Sequence, residues 1–173
     1  MKRTTEYYCS RAAAIIEGIP YATLATVTPN GKPWNCPVHA LHDTDACIYW
    51  VSDKEGQHSR NIQANGLVFI VIYDSTVPEG EGEGVYLQAT AYALEDAEEI
   101  RRIRAVKKGA HAADPVPFMG SGIRRVYKAV PQAVWMNASQ IENGVFIRDY
   151  RVPLPLTMLR CKLKQQIRNG LTG

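Results

Sequence analysis

The fold is decided by residues 21–74, YATLATVTPNGKPWNCPVHALHDTDACIYWVSDKEGQHSRNIQANGLVFIVIYD. The first segments of this stretch alternate apolar and polar residues, as strands with one buried face do. The sequence Pro29-Asn30-Gly31 separates the first two, and Asn-Gly supplies the positive φ values that a tight hairpin turn needs. The segment Leu67–Tyr73 is apolar throughout, so we predict a strand buried on both faces. Residues 21–74 therefore form consecutive strands of a β-sheet.

The rest of the chain adds helices and further strands. An amphipathic helix is predicted over residues 4–18 with Thr4 or Thr5 as its N-cap, and the capping-box pattern Asp96-x-x-Glu99 predicts a second. More strands are predicted at 84–94, 123–130, 133–137 and 145–148, with a loop at 109–122. Short, mostly antiparallel strands without βαβ alternation indicate a mainly β (α+β) barrel with peripheral helices.

Composition limits the possible classes of protein. The chain has 173 residues, 46% hydrophobic and 21% charged, which suits one domain over residues 1–153 followed by a basic tail or helix at 154–173. A net charge of +3 does not indicate nucleic-acid binding. The four cysteines form no C-x-x-C pair, so we expect reduced thiols and no metal site. No apolar run is long enough to span a membrane, and no export signal is present, so we expect a cytoplasmic protein.

The end of the third strand is the strongest candidate for a ligand site. The strand stops at Val51-Ser52, and a short polar helix follows within residues 53–61. This arrangement brings backbone N–H groups, a hydroxyl and the cationic Lys54 and Arg60 to one point, where a phosphate is favoured. A phosphorylated cofactor is the leading hypothesis.

The second strand, residues 34–42, has one polar face that can meet a ligand or a partner. Pro37 cannot donate to a β ladder, which predicts an edge strand or a bulge. Cys36 falls on the apolar side and is expected in the core. His39 and His42 fall on opposite faces, so a shared metal is not expected, although His39 alone is a candidate hydrogen-bond donor to a ligand.

These segments together resemble the pyridoxamine 5'-phosphate oxidase-like, FMN-binding split-barrel superfamily. The resemblance rests on residues 22–38, 48–52, 59–65 ahead of 67–73, 85–91, 125–131 and Trp135. No single segment is specific for this family, but the order of the segments along the chain is. The resemblance implies a six-stranded antiparallel split β-barrel that forms a homodimer with a flavin at the subunit interface.

The resemblance also implies which residues bind the cofactor. Asn35, Cys36, Pro37 and Val38 would run beside the isoalloxazine ring, with the backbone near Pro37 reaching its pyrimidine edge. Val51 and Ser52 would meet the phosphate and ribityl chain, together with Gln57 and His58. Gln88 would reach the flavin from the partner subunit, and Trp135 would line the cleft.

Two departures from the family pattern bear on function. Gln57-His58 stands where the oxidases carry Arg-Lys, and neutral groups bind phosphate more weakly than charged ones. Lys54 and Arg60 are expected to compensate; otherwise the pocket would favour deazaflavin F420 or no flavin. The segment after Trp135 lacks the Arg-aliphatic-His-x-Arg motif that grips the substrate phosphate, so vitamin B6 oxidation is disfavoured.

The favoured hypothesis is an FMN-dependent oxidoreductase that acts on a small redox-active molecule, with no catalytic side chain assigned because flavin chemistry needs none. A non-catalytic flavin- or haem-binding storage or sensor module is the main alternative. An F420-dependent reductase and a dimerisation domain without ligand remain open as well.

Overall fold

The computed structural model describes residues 3–108 and 114–170. Residues 109–113 of the predicted loop and 171–173 of the predicted tail lie outside the described residues. The helices are α1 Thr5–Gly18, α2 Gln57–Asn65, α3 Ala97–Lys108 and α4 Leu156–Gly170, with a 3-10 turn at Val116–Phe118. The strands are β1 Tyr21–Val27, β2 Pro33–His39, β3 Leu41–His42, β4 Ile48–Asp53, β5 Leu67–Tyr73, β6 Gly84–Ala93, β7 Arg124–Glu142 and β8 Val145–Leu154.

All strand pairs are antiparallel and belong to one sheet in the order β2-β1-β5-β6-β7-β4-β3, with β8 paired to β7. The predicted mainly β fold with peripheral helices is confirmed. The sheet has eight strands, which is more than the six that the resemblance implies. The sheet is not closed by hydrogen bonds, since β2 and β3 form its two edges although only Ala40 separates them in the chain.

Three strand predictions are corrected by the structure. The two strands predicted at 123–130 and 133–137 are one strand, β7, which bends at a register shift opposite Gln88 and Ala89 instead of stopping. The segment 34–42 is divided at Ala40, whose N–H donates to Pro20 O at 2.8 Å. The segment predicted at 145–148 is longer, because β8 continues to Leu154 along β7.

Strand β5 is buried on one face only, contrary to the prediction. Val68, Ile70 and Ile72 lie in the core, whereas Leu67, Phe69 and Tyr73 alternate with them and are exposed. The outer face has no covering layer within the described part of the chain. We call this outer surface of β2, β1, β5, β6 and β7 the outer sheet face.

Two of the helices, α1 and α4, pack together against the main core. Thr4 caps α1 by accepting from Tyr7 N at 3.2 Å, and the predicted inner face of α1 is buried, including Tyr8, Ile15 and Ile16. Helix α4 packs on α1 and buries Leu159 and Leu163 in the same core. The capping prediction for α3 is confirmed, since Glu99 N donates to Asp96 Oδ1 at 2.7 Å.

A second, smaller core lies between α3 and strands β4 and β7. It contains seven buried side chains: Cys47, Tyr49, Leu94, Ile100, Ile103, Phe118 and Val126. A polar network ties α3 to the sheet beside it, because Glu99 Oε1 accepts from Lys128 Nζ at 2.9 Å and from Tyr49 Oη at 3.3 Å. Within the described ranges, no helix is both long and apolar enough to cross a membrane.

Candidate functional site

Strand β2 forms one edge of the sheet and pairs only with β1 among the described strands. One edge of its backbone is therefore available for a ligand, and Pro37 is tolerated because no second neighbour needs its missing N–H. Alternation places Asn35 and Pro37 on the outer sheet face, whereas Cys36 and Val38 point inward. The four residues predicted to run beside a ring thus divide between two faces.

The outer sheet face also carries Gln88 and Trp135. The strand register aligns one row across the sheet: Asn35, Ala25, Phe69, Gln88, Ala133. Trp135 lies two residues beyond Ala133 on the same face of β7, opposite Tyr86, and its ring is stacked with that of Phe69 at 6.4 Å between centroids. Three inter-strand steps of about 4.8 Å place Gln88 roughly 14 Å from Asn35. One small ligand ring cannot bridge them within one chain.

The turn from β4 into α2 forms a compact corner. Ser59 Oγ donates to Asp53 O at 2.6 Å, and Gly66 ends the helix with φ 68. Helix starts leave their first amides without intrahelical acceptors. In the described structure, the backbone amides of Gln57, His58 and Ser59 donate to no acceptor. They are available to an anionic oxygen, and Ser52 lies half-buried at the strand end beside them.

His58 points into this corner rather than into solvent. Its Nδ1 lies 3.5 Å from Cys36 Sγ, and a Cβ on Gly56 would lie 3.4 Å from His58 Cε1. Its Nε2 is buried without a hydrogen-bond partner. Burial lowers the pKa of His58 below its ordinary value of 6.5, so the imidazole is neutral at neutral pH. His58 supplies a neutral hydrogen-bonding group next to β2, not a positive charge.

The remaining polar residues of the corner differ in what they already bind. The Arg60 guanidinium donates to Glu55 O and, at 3.3 Å, to Gln57 Oε1, and Gln57 Nε2 donates to Asn61 Oδ1 at 2.8 Å. Arg60 is therefore held by its own turn. The Lys54 ammonium makes no hydrogen bond or ion pair with any described residue. Of the two cations expected to compensate for the family's Arg-Lys pair, only Lys54 is free.

Val51 does not join this corner. It points to the opposite side of β4 from Ser52 and packs against the second core. There it lines a small cavity with His39, Leu41 and Arg104. The prediction that Val51 and Ser52 meet the same ligand therefore requires contact through the backbone of β4, since their side chains point apart.

Sequence reasoning missed Arg104. The Arg104 guanidinium lies 4.6 Å from the Phe118 ring centroid, and its Nε is buried without a partner. Burial, followed by repulsion from Arg124, lowers its pKa. Trp50 Nε1, which belongs to another residue lining that cavity, is also buried without a partner. Helical periodicity gave no signal because Arg104 is oriented by a distant segment, residues 116–118.

The fold defines a class of protein: an antiparallel split barrel with peripheral helices, in which a short helix follows the end of strand β4. A family model for pyridoxamine 5'-phosphate oxidase matches residues 10–138, most of the barrel. The chain therefore belongs to the pyridoxamine 5'-phosphate oxidase family. No curated protein matches the sequence.

Solved structures show the same fold at low sequence identity. The haem storage protein HutZ of Vibrio cholerae is 16% identical, with a TM-score of 0.57 over 69% of this chain and 87% of HutZ. A haem-binding protein of Mycobacterium smegmatis is 17% identical, with a TM-score of 0.61 over 93% of this chain and 62% of that one. General stress protein 26 of Bacillus anthracis is 17% identical, with a TM-score of 0.55 over 81% of this chain and 97% of that one.

Proposed function

We propose that this chain is a homodimeric FMN-binding oxidoreductase acting on a small redox-active molecule. The observation that supports the proposal best is the β4–α2 corner, where Lys54, whose ammonium makes no hydrogen bond or ion pair with any described residue, precedes three backbone amides without acceptors, and where His58 reaches the edge strand β2. Amide N–H groups and one cation are the donors that a phosphate monoester takes. The donor set therefore fits the phosphate end of FMN.

The rest of the flavin has a matching surface. The free backbone edge of β2 near Pro37 would hydrogen-bond the ring, with Asn35 on the same face. Gln88 and Trp135 are too distant in one chain, so they would approach from a second copy packed on the outer sheet face. When bound, FMN would supply hydride or electron transfer, and the protein would bind it, orient it and limit access of water.

Vitamin B6 is not the proposed substrate. The residues that follow Trp135 continue β7 and turn back as β8, where the substrate-gripping Arg-aliphatic-His-x-Arg motif would otherwise stand. We propose instead a small conjugated molecule that lies against the exposed face of the ring.

Haem binding is a second candidate function, because two solved structures of this fold are named for haem storage and haem binding. Within this chain, the neutral and half-buried His58 also weakens the case for a highly charged phosphate site. A storage or sensor module would bind its ligand without turnover, and F420 is a further alternative cofactor. These candidates differ in ligand preference, which a direct titration measures.

The test is equilibrium titration of the full chain with FMN, riboflavin, F420 and haemin, followed by optical spectra. We expect FMN to bind more tightly than riboflavin. We expect Lys54→Ala to lower the affinity for FMN at least about tenfold, since one charge-assisted hydrogen bond contributes about 1.5 to 3 kcal/mol. Riboflavin affinity should not change in this variant.

The matched control is Lys32→Ala, which removes an exposed lysine in the hairpin turn. It should leave FMN affinity unchanged. Tight haemin binding together with no FMN binding would overturn the flavin proposal in favour of the haem module. Reduction of bound flavin by NADH or NADPH, with turnover on an added acceptor, would support an enzyme rather than a carrier.

A further inference from the structure

A two-stranded arm extends from the sheet where β7 leaves β6. The last paired residues of these strands are Val85 and Met136, whereas β7 continues to Glu142 with only β8 beside it. The turn Asn143-Gly144 has φ values of 50 and 79, which a two-residue hairpin turn requires. We call residues 137–151 the arm. The six residues of β7 beyond Met136, at about 3.3 Å each, give it a length of about 20 Å.

The arm is apolar but uncovered. Its large apolar side chains are 43–64% exposed: Ile141, Val145, Phe146, Ile147 and Tyr150. A two-stranded ribbon by itself is only marginally stable in water. Clustered exposed apolar side chains mark interaction surfaces in folded proteins. The arm therefore has the composition of an element that packs against another molecule.

A cleft of about 1050 Å³ lies beside the arm, between the arm and α1. Tyr7 and Tyr8 of α1 line one wall, and Ile141 and Tyr150 of the arm line the other. Glu81, in the loop before β6, lines the cleft too and makes no ion pair with any described residue. The cleft is large enough for several side chains and combines aromatic surface with the Arg11–Glu83 ion pair, the carboxylate of Glu81 and the Arg3 guanidinium, which lies over the Tyr7 ring.

We propose that two copies of this chain exchange their arms, so that each arm tip, residues 142–148, lies in the α1 cleft of the other copy. The apolar tip fits the tyrosine wall, and Arg148, which donates to the neutral Gln140 at 2.9 Å, complements Glu81. The contact is isologous, since one twofold axis generates both insertions. The inference rests on the homodimer of the proposed function.

The arm also continues the surface on which that dimer is proposed. Trp135 lies on the outer sheet face of β7, and the arm is the same strand carried about 20 Å further. Arm exchange would hold the two outer faces together from both ends. It would therefore fix the approach of Gln88 and Trp135 to the flavin bound by the other copy.

The first test is sedimentation of the wild-type chain and Phe146→Asp, without flavin. We expect a dimer for the wild type and a dissociation constant raised at least about tenfold for the variant, since a buried aromatic anchor becomes charged. Phe146 is exposed in one chain, so the variant should keep its fold, checked by thermal melting. Ile123→Asp, at a similarly exposed apolar residue outside the arm, should not change the dimer. An unchanged constant in Phe146→Asp, or a monomeric wild type, would overturn the inference.

The second test shows whether the contact crosses between copies. Arg148→Glu and Glu81→Lys should each weaken the homodimer, because each places like charges together. An equimolar mixture of the two variants should recover a heterodimer, in which one contact pairs the two introduced side chains and the other pairs the native Arg148 with the native Glu81. No weakening, or no recovery on mixing, would overturn arm exchange. Neither test contains flavin. If the chain fails to bind flavin, the result on arm exchange is therefore unaffected. If the chain binds flavin but does not exchange its arms, only the inference of arm exchange is overturned.

Discussion

Asn61 is the residue whose loss should reveal most about how α2 is held. Its side chain is almost fully buried between α2 and β1. Asn61 Nδ2 donates to Thr26 Oγ1 at 2.9 Å, and Asn61 Oδ1 accepts from Gln57 Nε2 at 2.8 Å. Thr26 is buried as well. The bond to Thr26 holds α2, which carries the candidate phosphate site, on β1, and the bond from Gln57 supports the first turns of the helix.

Asn61→Ala should lower the free energy of unfolding by about 3 to 4 kcal/mol. Each lost hydrogen bond contributes about 1 kcal/mol, and leaving the buried Thr26 hydroxyl with one partner fewer adds about 1 to 2 kcal/mol. Urea unfolding measures the change as a lower midpoint with an unaltered m value. Because α2 loosens, the affinity for any ligand of the corner should fall as well.

Asn65→Ala is the matched control. Asn65 lies on the same helix and also makes two hydrogen bonds, donating to Val27 O at 3.0 Å and accepting from Leu67 N at 2.9 Å, but it is exposed. Water replaces partners at an exposed position, so its loss should be under about 1 kcal/mol. Equal losses in the two variants would refute the claim that burial, rather than hydrogen-bond number, decides the cost.

Three further outcomes are expected. Lys128→Met should destabilise the chain by about 1 to 3 kcal/mol, because the ion pair that Lys128 makes with Glu99 is largely buried. In the same urea assay, Arg101→Met removes an exposed ion pair within α3 and should change stability by less than about 0.5 kcal/mol. Burial lowers the pKa of His58, so the unfolded state binds more protons than the folded state below pH 6.5, and the stability of the fold decreases there. When the pH is lowered from about 7.5 to about 5, the urea unfolding midpoint should therefore decrease less in His58→Gln than in the wild-type chain. Gly122→Ala should cost about 1 to 3 kcal/mol, since the added Cβ would overlap Pro117 O, whereas Gly18→Ala has open space and should be neutral or stabilising in thermal melts.

Much of the fold follows from local sequence. The N-cap at Thr4, the hairpin turn around Gly31 and the start of α3 at Asp96 depend only on residues a few positions away. The prediction of positive φ values for Asn30-Gly31 is correct for Gly31 alone, since Asn30 has a negative φ and the turn spans residues 28–32. The passage from β4 into α2 is equally local, because Ser59 closes the turn onto Asp53. Local rules suffice where the partners are near in sequence.

The failures concern long-range placement. An apolar run such as Leu67–Tyr73 gives the same sequence signal whether a layer covers both faces or one, so the exposure of Phe69 could not be read from it. The orientation of Arg104 depends on Phe118, which lies beyond a loop in the sequence. The arm was missed for a similar reason, since β8 is a strand only because β7 continues past β6 to pair with it.

The structure explains why Gln57-His58 stands where the oxidases carry Arg-Lys, because both side chains are engaged with neighbouring residues. An arginine at 57 would carry its charge to the turn, but here Gln57 links Arg60 to the buried Asn61 and so becomes part of the support of α2. His58 turns toward Cys36 because β2 leaves a partly apolar space there, and burial then keeps the ring neutral by lowering its pKa. Both positions hold the helix in place rather than supply charge. The phosphate binding that we propose for the corner consequently rests on backbone amides and Lys54. Lys54 is therefore the side chain whose removal should separate the proposed phosphate binding from the stability of the fold.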